Sequence, residues 1–286
     1  MKICRFDNGR LGLIDGDEVL DVTEALSVLP TVSYPYPKHD VLVAGFDDVK
    51  VRIDELAQDA PRLALADVKL ELPIANPGKI VAAPVNYKKH LEEVREQVDL
   101  NHGNDAHMRQ IREIGLFLKA GSSLIGPSDS VRIGRPDRRN DHEIELAVVI
   151  GKEAKNVKAA NALDYVFGYS IGLDMTVRGP EDRSFRKSLD TYTVLGPWIV
   201  TADEIGDPGT LGFELTVDGE TRQKAHTEDL VLGVAELIEF ASSFYTLHPG
   251  DLIYTGTPEG VGPVEAGQTM HARIDKIGEM TIPVIA

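Results

Sequence analysis

Apolar residues recur along most of this chain in short alternating runs cut by glycine, proline and acidic residues, and seldom at the spacing of an amphipathic helix. Met1–Phe6, Arg10–Ile14 and Glu18–Val22 read as short strands, and Asn8-Gly9 and Asp15-Gly16 between them favour tight hairpin turns. Thr23 is placed to cap a short helix from Glu24, and a second helix is expected over Val49 to Gln58. Pro73, Pro77 and Gly78 then mark a boundary. Residues 1–70 are expected to form a small N-terminal α/β domain and 71–286 a larger domain. Beyond Lys79 the texture is again of short strands. One clear helix comes late, where Val231, Val234, Leu237, Ile238 and Ala241 follow Thr227 as a cap. The pattern is mostly β with α (an α+β chain), without the strand–helix alternation of a doubly wound sheet. Gly256, Gly260 and Gly262 do not open a helix after a strand, which rules out a dinucleotide-binding loop.

The most informative stretch is Asp141-His142-Glu143-Ile144-Glu145, leading into Leu146–Gly151. The unbroken apolar run that follows is that of a strand buried on both sides. Side chains at i and i+2 of a strand share a face, so Glu143 and Glu145 point the same way at its start. A second short run, Gly168–Asp174, ends on another acid. Two such strands ending side by side would gather three carboxylates. An oxygen-only site of this kind suits Mg²⁺ or Mn²⁺ better than Zn²⁺. Solvated acids on an edge strand are the alternative. His90 and Glu93 are three residues apart, so on a helix they share a face, as a general base and its orienting carboxylate would.

Composition narrows the partners. The 286 residues carry a formal net charge of −16, which argues against nucleic acid or an anionic membrane surface. A single cysteine, Cys4, allows no internal disulfide. No secretory segment or membrane-spanning apolar run is present, so a cytoplasmic protein is expected.

From about Lys79 onward the chain resembles the fumarylacetoacetate hydrolase superfamily. The segments that carry the resemblance are Lys79–Val81 with Asn86–Glu93, Leu116–Lys119, Asp141–Gly151, Gly168–Arg178, Lys187–Trp198 and Leu247–Pro258, in the family's order. The resemblance implies a mixed β-roll, a homodimer, and Mg²⁺ or Mn²⁺ held by Glu143, Glu145 and Asp174. It implies a 2-oxo acid or β-diketone as the small-molecule substrate, with Lys187 as a second positive charge beside the reacting oxygen. His90 and Glu93 match a catalytic pair on a segment that orders over bound substrate. Lys119 matches a lysine near the metal site, Arg178 is placed to hold a substrate carboxylate, and Tyr192 and Thr257 are further substrate contacts. The stretch Val94–Met108 is longer than the family's compact version, Leu189 stands where phenylalanine is common, and Val194 where proline is common. The pocket is therefore expected to differ from that of relatives.

These residues point first to hydrolysis of a C–C bond in an acylpyruvate or related β-diketone acid through an enolate. Decarboxylation of a 2-oxo diacid and isomerisation of a 2-hydroxymuconate-type diacid would use the same apparatus. A metal- or metabolite-binding protein without catalysis is the reading from another class. Paired glycosidase carboxylates are excluded, because those come from different elements and stand apart across a sugar.

Overall fold

The computed structural model describes residues 1–96 and 111–286. Its centre is the strand Ile144–Ile150, every residue of which is buried. Ile144, Leu146, Val148 and Ile150 pack into the larger core, while Ala147 and Val149 enter a second core on the opposite face. Alternation within one apolar run thus serves two layers, as the sequence anticipates.

Among the described residues the main sheet has twelve strands. Antiparallel to Ile144–Ile150 lie Val166–Asp174 on one side and Leu252–Tyr254 on the other. Beyond Leu252–Tyr254 come Ile80–Ala82 and Phe117–Lys119, and beyond Val166–Asp174 comes Thr193–Thr201. The predicted N-terminal strands appear as Lys2–Phe6, Arg10–Asp15 and Glu18–Asp21. They extend this same sheet, because Lys2 and Ile3 pair with Val200 and Ile199. The first 70 residues also have a core of their own, built on Ile3, Leu11, Phe46, Val49 and Ile53. A five-stranded sheet covers the larger core, and its strand Gly278–Ile285 buries Met280, Ile282 and Val284 while exposing Glu279, Thr281 and Ile285. The Trp198 indole N–H bridges the sheets by donating to the Ile277 carbonyl at 2.7 Å.

Three helix boundaries depart from the sequence reading. Thr23 is not a cap but the first residue of a 3₁₀ segment, Thr23–Val28, and its hydroxyl accepts the Leu11 N–H at 3.1 Å. The N-terminal helix spans Phe46–Leu56 and begins three residues before Val49, with Asp47 and Asp48 in its first turn. The late helix runs only over Val234–Phe244. Its first turn is closed by the Glu236 carboxylate, which accepts the Gly233 N–H at 3.0 Å. Thr227 does not cap it: that residue opens a separate 3₁₀ turn, Thr227–Asp229, and its hydroxyl accepts from Leu211 N–H.

Candidate active site

Glu143 sits in the one-residue gap between the strands Asn140–His142 and Ile144–Ile150, where the chain passes from a small three-stranded sheet into the main one. Pairing of Ile144 with Leu173 sets Glu143 across from Asp174, whose N–H donates to the Glu143 carbonyl at 2.8 Å. Glu145 lies on the same face, opposite Gly172. That glycine is required, because a Cβ there would come within 2.4 Å of the Tyr254 ring. Register and face together bring one ligand oxygen from each of Glu143, Glu145 and Asp174 within 4.8 Å of one another, all three residues being buried.

Two lysines and an arginine hold this cluster. The Lys187 ammonium donates to Glu143 Oε2 at 2.6 Å, Asp174 Oδ2 at 2.7 Å and Thr176 Oγ1 at 2.6 Å. Lys119 donates to Asp174 Oδ1, the Lys187 carbonyl and, at 3.0 Å, the Tyr192 carbonyl. Arg178 donates to Glu143 Oε1 at 2.9 Å and to Asp141 Oδ2 at 2.7 Å. Burial disfavours a charge on Glu143, but the Lys187 and Arg178 cations outweigh it and hold this carboxyl well below its usual range. Glu145 is the opposite case. Burial, then Asp174 and Glu143, raise its pKa well above that of an ordinary carboxyl. Its Oε2 accepts the Gly256 N–H at 2.6 Å, and no ion pair reaches it among the described residues. Three buried carboxylates, one without a cationic side chain, form a hard-oxygen donor set that fits Mg²⁺ or Mn²⁺.

The cluster forms one wall of a pocket that His90, Val94, Phe117, Arg183, Arg186 and Thr257 also line. His90 projects from the helix Lys88–Glu96, and its Nδ1 is 2.9 Å from Glu93 Oε2. The second Glu93 oxygen accepts the Gly260 N–H at 3.1 Å, tying the helix to the glycine-rich loop. Asn86, just before the helix, is fully buried; its Nδ2 donates to the Leu232 and Thr255 carbonyls, and its Oδ1 accepts from Leu232 N–H. Val85 lines the pocket at φ +46°, an unfavourable angle for a β-branched residue.

The structure therefore brings together Glu143, Glu145, Asp174, Lys187, His90, Glu93 and Thr257, and gives Arg178, Tyr192 and Lys119 partners within the protein. Arg178 lines the pocket with its Nε held by Asp141 and its Nη2 by Glu143. Tyr192 is fully buried outside the pocket lining, its phenol donating to Asn140 Oδ1, and it serves packing rather than substrate contact. Lys119 supports Asp174 from behind, all three of its donors being spent on protein oxygens. Thr257 lines the pocket while its hydroxyl donates to the Ile144 carbonyl and accepts from Gln223 Nε2. The sequence reading missed Arg183 and Arg186. The available signal was their i, i+3 spacing immediately before Lys187. Much of the long stretch after Glu93, including His102 and His107, lies outside the described residues.

Residues 79–285 match the model of the fumarylacetoacetate (FAA) hydrolase C-terminal family, and the chain belongs to that family. It is 61% identical over 284 residues to maleylpyruvate hydrolase of Aquipseudomonas alcaligenes, covering 99% of both chains. A solved maleylpyruvate hydrolase from Sphingobium sp. SYK-6, in complex with manganese (II) ion and pyruvate, superposes with a TM-score of 0.84 at 43% identity, over 100% of this chain and 99% of that one. A 5-carboxymethyl-2-hydroxymuconate delta-isomerase from Mycobacterium smegmatis gives a TM-score of 0.72 at 29% identity, over 100% of this chain and 99% of that one.

Proposed function

We propose that this protein is a metal-dependent hydrolase of the C–C bond in an acylpyruvate, releasing pyruvate and a carboxylic acid. The observation that carries this reading is the meeting of three buried carboxylates with a histidine–glutamate pair in one pocket. The 61% identity to a maleylpyruvate hydrolase supports it independently. Glu143, Glu145 and Asp174 would hold Mg²⁺ or Mn²⁺, which when bound polarises the substrate's keto oxygen.

The remaining steps belong to side chains. Glu93 orients His90 through Nδ1–H, leaving Nε2 to take a proton from water as its oxygen adds to the acyl carbonyl carbon. The C–C bond to the pyruvoyl methylene then breaks, and its electron pair passes into the pyruvate enolate. His90 returns the proton to the methylene carbon, so one water is consumed and His90 ends unchanged. The Lys187 ammonium adds positive charge where enolate charge develops, and its hydrogen bonds hold the Glu143 and Asp174 carboxylates in line. A cytoplasmic homodimer is part of the proposal, and none of the helices searched is long and apolar enough to cross a membrane.

Turnover of acylpyruvates by the purified protein, first with EDTA and then with Mn²⁺ or Mg²⁺, tests the reading. Metal-dependent appearance of pyruvate plus the matching acid is expected. Enol-to-keto conversion without cleavage would move the assignment to an isomerase, as in the structurally similar delta-isomerase. Loss of CO₂ from a 2-oxo diacid alone would make it a decarboxylase, and metal binding without any turnover a binding protein.

A further inference from the structure

Among the described residues, two arginines of the pocket are left without an anion. Arg183 and Arg186 stand at the two ends of the short helix Arg183–Arg186, and both line the pocket that holds the carboxylate cluster. Arg186 is only 3% exposed. Its Nε donates to the Glu181 carbonyl at 2.8 Å, but its buried Nη1 has no hydrogen-bond partner among the described residues. No carboxylate lies within ion-pair distance of either guanidinium among the described residues, whereas the Arg178 and Lys187 cations are already matched to acids. Burying a guanidinium beside other cations is unfavourable unless an anion meets it, and a carboxylate does so with two charge-assisted hydrogen bonds.

The remaining question is which carboxylate. If the pocket takes an acylpyruvate, the pyruvoyl end carries the keto and carboxylate oxygens that belong at Glu143, Glu145 and Asp174 with their cation. That charge is then already met. We propose that Arg183 and Arg186 form a second anion site that reads a carboxylate at the acyl end of the substrate. The substrate is then a dicarboxylic acylpyruvate, and the acid released beside pyruvate is itself a dicarboxylate. This inference rests on the acylpyruvate reading for its chemistry, but the anion site can be tested apart from it.

The test compares kcat/KM of the Mn²⁺-loaded wild type, Arg186→Gln, Arg186→Lys and Arg183→Gln on maleylpyruvate and on acetylpyruvate, which lacks the distal carboxylate. Arg186→Gln is expected to lose about 100-fold on maleylpyruvate and only about threefold on acetylpyruvate, because it strands one partner of a buried charge pair. Arg186→Lys should recover part of the loss, since it restores the charge but not the fork. Equal losses on both substrates, or none on maleylpyruvate, would overturn the proposal. Calorimetric titration with maleate and with pyruvate supplies the readout that needs no turnover. Maleate binding that Arg186→Gln weakens at least about tenfold, with pyruvate binding kept, supports the site even if no acylpyruvate is cleaved. Maleate binding that is absent in the wild type, or unchanged in the variant, rejects it even if the acylpyruvate reading holds.

Discussion

Glu143 and Glu145 are two residues apart on one face, yet their surroundings oppose each other. Glu143 is surrounded by Lys187, Arg178 and Thr176, whereas Glu145 has a backbone N–H and two neighbouring carboxylates. Glu145 is thus the position where a bound cation changes most. Glu145→Gln is expected to abolish metal-dependent turnover and to remove the rise in melting temperature that saturating Mn²⁺ gives the wild type, since a ligand stabilises only what binds it. Full activity of that variant in Mn²⁺-replete buffer would overturn the ligand assignment. His90→Ala should behave differently: kcat falls by about 10²–10⁴ while the Mn²⁺ dissociation constant moves less than about twofold. Weakened Mn²⁺ binding would show that His90 acts on the metal rather than on water. At this scale the acids were legible, because i, i+2 spacing before an apolar run fixes a shared face. What each cation touches was not. Arg178 reads from sequence as a substrate clamp, and only the fold shows Asp141 occupying its second edge.

The strands were legible as elements because each alternates against a core, as Gly278–Ile285 does. The late helix was misplaced at its start, because a threonine with acids after it signals a cap wherever it falls and a 3₁₀ turn satisfies the same signal. Least legible was the joint between elements. Glu93 ties the His90 helix to the glycine-rich loop through Gly260, with Lys89 facing Glu259 at 3.5 Å and Val94 packed with Val261. The same loop reaches Glu145, a proposed metal ligand, through Gly256. Glu93→Ala removes both the imidazole partner and the clamp. It should lower kcat and also speed tryptic cleavage at Lys88 and Lys89, compared with His90→Ala, which leaves the Glu93–Gly260 bond in place. Equal cleavage rates in the two variants would confine Glu93 to orienting the histidine. Gly172→Ala tests the sheet itself. A Cβ pressed against the Tyr254 ring should destabilise by about 1–3 kcal/mol in chemical denaturation, with the m-value kept.

At the scale of the whole molecule, Cys4 reports on integrity. Burial pushes its thiol up to about 12, so the folded chain keeps it neutral and unreactive toward disulfide reagents near pH 8. The raised folded value has a definite sign in stability. Its contribution is complete below the unfolded thiol's pKa, and it declines as pH rises from about 9 toward 12, where only the unfolded chain ionises. Titration with a thiol reagent at pH 8, without and then with denaturant, should show no reacting group and then one. A fast-reacting thiol in the native protein would place Cys4 at the surface.

The division of the chain near residue 70 bears on whether the site can stand alone. The family match starts at residue 79, and the expected catalytic domain contains every proposed site residue. The sheet nevertheless crosses that division. Lys2 and Ile3 pair with the strand Thr193–Thr201, the N-terminal ammonium donates to Thr201 Oγ1, and Phe46 packs edge-on against Phe167 at 4.7 Å. Val166–Asp174, which carries Asp174, pairs directly with Thr193–Thr201. Removing residues 1–70 would leave the Ile199–Val200 end of that strand unpaired along one edge, while Thr193 and Val194 keep Leu124 and Ile125, and would uncover Ile199 and Phe167, a combination that favours edge-to-edge association. The fragment 71–286 is therefore expected to aggregate or to lose Mn²⁺-dependent turnover. The intact chain is expected to elute from size exclusion with light scattering at twice its 31.2 kDa, as the proposed homodimer. A soluble, active fragment would show that the first 70 residues contribute nothing to the geometry around Asp174. It would also reassign the edge of Thr193–Thr201 as a place where a second copy could dock.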